Sequence, residues 1–356
     1  MNAIKGRGSV SNQTSTRFAL PSSQSDGDWL DERERIDGAP PRLSTQVTEL
    51  HPRTILSFNR SPDISFDRSI NAYNGCEHGC IYCFARPSHA WHDLSPGLDF
   101  ETRLFAKPDA PRLLRETLAR RSYHPAPIAM GTNTDPYQPI EGRYRITRQI
   151  LELCLEVRHP VTLVTKSDRI LADLDLIEAL ARDNLVSVGL SITSLDPRLS
   201  RLLEPRAASP SKRLDALEKL CTAGVPAHAM IAPVIPALTD GELEAIIAAC
   251  AARGARHAQW IMIRLPHEVA PLFREWLETH FPERAGKVMG VIREMRGGKD
   301  NDPRFNERFR PQSAWADVLR ARFRVAMKRH AMEPPSIRLD TTKFRKPAPD
   351  GQLSLL

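Results

Sequence analysis

The sequence predicts an α/β protein built as an open, partial barrel of six β-then-α units, and three observations predict it. Short apolar, β-branched runs recur at 69–73, 128–131, 161–166, 186–193, 228–234 and 258–265, with helical periods between them. Such alternation implies a parallel sheet, and six units are too few to close an eight-stranded barrel. Directly after the first strand, the run NAYNGCEHGCIYCFARPSHAW carries Cys76, Cys80 and Cys83 at C-x3-C-x2-C spacing. That places three thiols at the C-terminal ends of the strands, the face on which barrel folds keep their active sites.

Taken in order, residues 1–50 read as a flexible arm. They are rich in Ser, Asp, Arg, Gly and Pro through about residue 45 and show no apolar period. The barrel occupies 60–284. In 109–122, Leu113, Leu114, Thr117 and Leu118 share one helix face. In 144–157, Ile146, Ile150, Leu153, Cys154 and Val157 do the same. One helix ends at Gly224, and Thr239 is expected to N-cap another, lined by Leu243, Ile246, Ile247 and Cys250 and stopped by Gly254. From 285 to 345 the alternation fails. GGKDNDPRFNERFR is a polar loop, and 312–331 reads as a basic helix burying Trp315, Val318, Leu319, Phe323 and Met327. This basic C-terminal extension is expected to close the barrel edge or cover the substrate. Residues 346–356 read as a flexible tail.

Composition narrows the function. The 356 residues are 41% hydrophobic, enough for a sizeable core. No apolar run approaches the roughly 20 residues needed to cross a bilayer, so no membrane association is expected. The polar N-terminus does not read as a signal peptide, so a cytoplasmic location is expected. The net charge is +7, but residues 284–346 hold 17 Lys/Arg against 7 Asp/Glu, which is +10 and leaves −3 for the rest. A basic region beside a neutral-to-acidic core suggests a polyanionic partner, nucleic acid first; a solvated charged surface is the plainer alternative.

Three thiolates on one loop can hold three irons of a [4Fe–4S] cluster and leave the fourth iron open to a substrate. Zinc is the competing occupant, because His78, His89 and His92 could complete a four-ligand site.

C-x3-C-x2-C with Tyr82 just before the last cysteine resembles the signature of the radical S-adenosylmethionine (radical SAM) superfamily. GLDFETRLFAK, GTNTDPYQPIE, TKSDRILADLDL, EPRAASPSKR and MIAPVIPALTD resemble its spore photoproduct lyase-related branch, and most of all a bacterial subgroup of unsettled activity. The resemblance implies a [4Fe–4S] cluster on Cys76, Cys80 and Cys83, with S-adenosylmethionine (SAM) chelating the open iron. Reductive cleavage of SAM would yield a 5′-deoxyadenosyl radical that takes hydrogen from the substrate, with electrons from a donor such as a flavodoxin or ferredoxin. It places Asn133, Thr134 and Asp135 near the methionyl ammonium and Lys166 near the methionyl carboxylate. It places Ser191 and Thr193 near the ribose, Glu204 and Arg206 near the ribose or the carboxylate, and Tyr82 against the adenine. His78 is expected to hydrogen-bond near a thiolate. Spore photoproduct lyase returns hydrogen from a further cysteine. Here Cys154, Cys221 and Cys250 all fall on apolar helix faces, so dimer-repair chemistry is not expected to carry over directly.

Gln352-Leu353-Ser354-Leu355-Leu356 resembles the peptide by which bacterial replication and repair proteins dock on the sliding clamp, although that pattern prefers Phe at the end. The expected function is therefore radical chemistry on nucleic acid, as DNA repair or base modification. Radical modification of RNA or a peptide, and a non-catalytic metal-binding nucleic-acid adaptor, are the alternatives.

Overall fold

The computed structural model describes residues 4–15, 17, 43–336 and 338–347. Among these residues ten strands form two sheets. The strands are β1 (Gln46–Glu49), β2 (Leu56–Phe58), β3 (Arg68–Ile70), β4 (Tyr73–Asn74), β5 (Arg103–Ala106), β6 (Ile128–Met130), β7 (Val161–Thr165), β8 (Val186–Ser191), β9 (Ala227–Val234) and β10 (Ala258–Met262). The large sheet runs β10-β9-β8-β7-β6-β3-β2. All six strands expected from the sequence are in it, neighbouring in chain order and parallel. This is the predicted partial barrel. β2 adds an antiparallel edge beside β3. β1, β5 and β4 make a small sheet next to the cysteine loop. β1, β2, β4 and β5 are two to four residues long and carry no periodic signal to read.

The crossover helices are α1 (Ala110–Ala119), α2 (Ile146–Glu156), α3 (Leu174–Arg182), α4 (Pro197–Leu203), α5 (Pro210–Thr222), α6 (Leu243–Ala252) and α7 (Val269–His280); α8 (Pro282–Glu294) and α9 (Ala314–Arg329) follow. Leu114, Ile150, Ile177, Leu217 and Ile246 are fully buried, packing the outer layer of helices onto the sheet. Every residue of β8 is buried, as a central parallel strand covered on both faces requires. Gly224 and Gly254 take positive φ just past their helices, as expected.

Three expectations are corrected. Thr239 does not cap α6: its hydroxyl accepts from the Ile235 N–H at 2.9 Å, a turn of 3-10 helix intervenes, and the helix proper starts at Leu243. Val318 on α9 is 58% exposed, because the buried stripe runs through Ala316, Leu319, Ala326 and Met327 instead. The arm is expected to be loose, yet within its described stretch, residues 4–15, Arg7, Ser9 and Val10 are buried. Its polar composition hides the reason, which is a set of backbone and side-chain hydrogen bonds to Glu101, Glu268 and Glu275 rather than an apolar stripe. Residues 18–42, and the clamp-like Gln352–Leu356, lie outside the described residues.

The extension is tied to the barrel by charge. Arg308 pairs with Asp63, Arg322 with Glu244 and Lys343 with Asp183. Part of the +10 against −3 imbalance is therefore internal complementarity. Asp63 lies between β2 and β3, at the sheet edge opposite β10. The 297–312 loop thus joins the two open edges, as the edge-closing expectation requires.

Candidate active site

The cysteine loop begins directly after β4. Its turn is stitched by Gly79 N–H to Cys76 C=O at 3.3 Å and Cys83 N–H to Cys80 C=O at 3.2 Å. Gly79 takes φ +67°, and a Cβ there would meet the Glu101 carboxylate at 2.7 Å, so only glycine serves. Behind the loop lies a fully buried ion pair, Arg86–Glu101, at 2.5 Å. The five guanidinium N–H groups of Arg86 reach the carbonyls of Gly79, Cys80, Pro96 and Gly97 and the Glu101 carboxylate. Glu101 in turn accepts from the backbone N–H of Gly8 at 2.9 Å and of Ser9 at 2.8 Å. The N-terminal segment, the pair and the cysteine loop are one hydrogen-bonded unit.

The GTNTDPYQ segment after β6 braces the same loop. The Thr134 hydroxyl donates to Tyr73 C=O at 2.9 Å. Gln138 donates to Gly75 C=O and accepts from Glu77 N–H. Asp135 accepts from Tyr137 N–H, the Thr165 hydroxyl and Lys166 N–H, and pairs with His78 at 3.3 Å. Burial alone would raise this carboxyl, but His78 leads the contacts that bring it down to about 2. Asp135 thus braces the cysteine loop through donors of the chain itself. Asn133 is exposed at the rim, its N–H held by Asn71.

A second buried network stands at the ends of β7 and β8. The Glu204 carboxylate accepts from the hydroxyls of Tyr82 and Thr193 and from the Arg213 guanidinium. Burial alone would raise its pKa, and Arg213 and Lys166 pull it down to about 2. The Lys166 ammonium lies 5.9 Å from the centre of the Tyr82 ring. It makes no ion pair among the described residues, and sits in the fields of Cys80 and Glu204. Arg213 also donates to the Ser191 carbonyl at 3.2 Å. Of the expected contacts, Tyr82, Lys166, Ser191, Thr193 and Glu204 come together. Arg206 does not join them: it is half-exposed and pairs with Glu77 at 3.1 Å, because its place is taken by Arg213. Arg213 was legible. Positions 213, 216, 217 and 220 form the buried stripe of α5, so an arginine there faces the interior. Arg86 and Glu101 carry no such signal.

The loop fits a cluster better than zinc. His78 turns to Asp135, and His92 stacks on Phe105 and bonds Asn74, while His89 bonds the Arg103 carbonyl through Nε2 at 2.9 Å and keeps its Nδ1 buried and unpartnered. His78 stands near a thiolate through Asp135, its partner at 3.3 Å. Meanwhile the Asp135 N–H is directed at the Cys76 sulfur, and the Ala85 and Arg86 N–H groups at that of Cys83. Lys166 and Arg213 carry positive charge toward Cys80. Burial raises all three thiols, so taking up metal must displace their protons. N–H donors aimed at sulfur are how proteins tune iron–sulfur centres.

Residues 70–250 match the family model of the radical SAM superfamily. The chain belongs to the radical SAM superfamily. An uncharacterized protein of Mycobacterium tuberculosis strain H37Rv is 35% identical over 284 residues, covering 78% of this chain and 82% of its own length. One of Methanocaldococcus jannaschii is 30% identical over 215 residues, 60% of this chain and 76% of that one. Among solved structures, spore photoproduct lyase complexed with dinucleoside spore photoproduct shares the fold at a TM-score of 0.57 and 17% identity, covering 80% of this chain and 79% of that chain. A further spore photoproduct lyase, with bound AdoMet, matches at 0.53 and 16%, covering 85% and 92%. As a radical SAM enzyme the protein uses a [4Fe–4S] cluster and SAM, and takes electrons from a donor. No helix among the described residues is long and apolar enough to cross a membrane. Cys154 and Cys250 are fully buried on outer-layer helices, and burial pushes both thiols up to about 12. Cys221 is half-buried on α5, also in that layer.

Proposed function

We propose that Cys76, Cys80 and Cys83 hold the cluster, that Lys166, Tyr82, Thr193, Glu204 and Arg213 shape the SAM site, and that the enzyme modifies or repairs nucleic acid. The observation that carries this reading is the juxtaposition, on the C-terminal face of the partial barrel, of three thiols with an unpaired ammonium and a buried Glu–Arg network. When bound, the cluster and SAM supply a 5′-deoxyadenosyl radical that abstracts hydrogen. The protein's part is to place the substrate and exclude water. Lys166 supplies a cation for the methionyl carboxylate, and Thr193 with Glu204 supplies polar groups near a ribose. Tyr82 gives an aromatic face beside them. The cation excess of the extension supports a polyanionic substrate, and the dinucleoside photoproduct held by a protein of the same fold favours DNA.

The deciding experiment uses protein purified without oxygen. Iron and zinc are assayed, and 5′-deoxyadenosine is measured after dithionite and SAM are added. Iron near four per chain with 5′-deoxyadenosine formed is expected, and each of Cys76→Ala, Cys80→Ala and Cys83→Ala should lose both. Retained cleavage in all three variants would sink the ligand assignment. Zinc without cleavage would leave a metal-binding adaptor.

A further inference from the structure

Arg264 follows β10 by two residues, on the face where the strands end and at the open edge of the barrel. It is half-buried, its Nε is fully buried without a hydrogen-bond partner, and no carboxylate among the described residues pairs with it. Around it are more cations. Arg296 is buried and holds the Ile263 carbonyl at 2.7 Å, with its own Nε unpartnered. Arg308 is committed to Asp63. Burial, then Arg308 and Arg296, bring the pKa of Arg264 down to about 10. Asp63 serves Arg308, and Asp302, the carboxylate near Arg296, is itself paired with Arg304, so Arg264 has no carboxylate of its own among the described residues. A half-buried cation left in this state is costly unless an anion joins it.

Aromatic rings interleave with these charges. Arg264 lies over Phe309 at 4.7 Å, and Arg308 lies 5.0 Å from both Phe309 and Phe305. Phe305 is 56% exposed, a large apolar ring on a loop that the Asn306 N–H and the Arg308 guanidinium, both donating to Asp63, fix in place. The adjoining Arg310 is exposed and also has no carboxylate partner among the described residues. Arg264 on Phe309, and Arg308 between Phe309 and the outward-facing Phe305, make one array of cations and rings, and such an array binds a single nucleic-acid strand, with phosphate on a free arginine and a base on an exposed ring.

We infer that Arg264 and Phe305, presented at the open edge of the barrel, bind a single or locally opened DNA strand, Arg264 taking a backbone phosphate and Phe305 stacking on an adjacent base. The inference rests on the nucleic-acid reading and gives it residues. Arg264 follows the edge strand β10, and Phe305 sits on the loop that joins the two edges of the sheet.

The test measures anisotropy of a fluorescein-labelled single-stranded DNA, an RNA of the same sequence and a blunt DNA duplex, on full-length cluster-loaded protein over a range of salt. Wild type should prefer the single-stranded DNA. Arg264→Gln should weaken it about tenfold and flatten the salt slope by roughly one charge, and Phe305→Ala should weaken it about tenfold with the slope kept. Arg264→Lys should keep the slope and recover only part of the affinity. Unchanged melting midpoints would show that the variants fold. Wild type that binds none of the three would overturn the nucleic-acid reading and this inference together. Wild type that binds, with variants binding equally well at the same slope, would overturn the inference alone. Binding confined to RNA would overturn the assignment to DNA.

Discussion

Replacing Arg86 by Gln should damage the cysteine loop more than its distance from any substrate suggests. The guanidinium makes five hydrogen bonds, to four carbonyls and to Glu101, and both members of the pair are fully buried. Gln can replace one or two of those bonds and none of the charge. Leaving a buried carboxylate without its cation costs about 3–5 kcal/mol. At roughly 2.1 cal/mol/K per residue, a 356-residue cooperative unit has an unfolding entropy near 0.75 kcal/mol/K, so the melting midpoint should fall by about 4–7 °C. Glu101→Gln should cost a similar amount. The double variant should cost clearly less than the sum, because the second substitution removes a charge already orphaned. Calorimetry on anaerobic, cluster-loaded protein measures this, and release of iron to a chelator gives a second readout that should accelerate in both single variants. A fall below about 1 °C in Arg86→Gln, or strict additivity in the double variant, would refute the claim that this pair is the scaffold of the loop.

Three further outcomes are expected. Lys166→Met should weaken SAM binding by roughly tenfold or more, the worth of one charge-assisted contact, while iron content stays unchanged; equilibrium dialysis with labelled SAM checks it, and equal affinity would remove Lys166 from the site. Glu141 is pushed up to about 7 by burial, above its usual 4.5, and accepts from the Tyr73 hydroxyl. Between those values the folded chain keeps a proton that the unfolded chain has lost, so its contribution to stability falls as pH rises. Glu141→Gln should therefore lose about 2 kcal/mol of the decline between pH 5.5 and 8 in urea unfolding, and an unchanged decline would show that Glu141 ionises normally. A Cβ at Gly8 would stand 1.8 Å from the Gly79 carbonyl oxygen, so Gly8→Val should unseat the N-terminal segment. Tryptic cleavage after Arg7 should then speed up on the order of tenfold, from the loss of two hydrogen bonds to a carboxylate, and a wild-type cleavage rate would contradict the docking of this segment.

What could be read from the sequence was whatever local periodicity encodes. The six parallel strands alternate with helices whose apolar spacing is regular, and buried parallel strands are continuous apolar runs. The cysteine loop was legible because three thiols at short spacing are chemically distinctive without any fold. Thr193 and Lys166 were legible because strand ends are where a parallel barrel gathers its side chains, and Glu204, just past α4, through the resemblance of EPRAASPSKR. The tertiary structure alone decided which charges meet. Arg213 rather than Arg206 reaches Glu204, because helix phase points position 213 inward, whereas Arg206 lies exposed in the turn between α4 and α5. Arg86 and Glu101 find each other across fifteen residues, and Glu101 then captures an N-terminal segment whose polar composition reads as a loose arm. Ion pairs and hydrogen bonds between segments far apart in sequence depend on distance and direction in space, and these have no period along the chain.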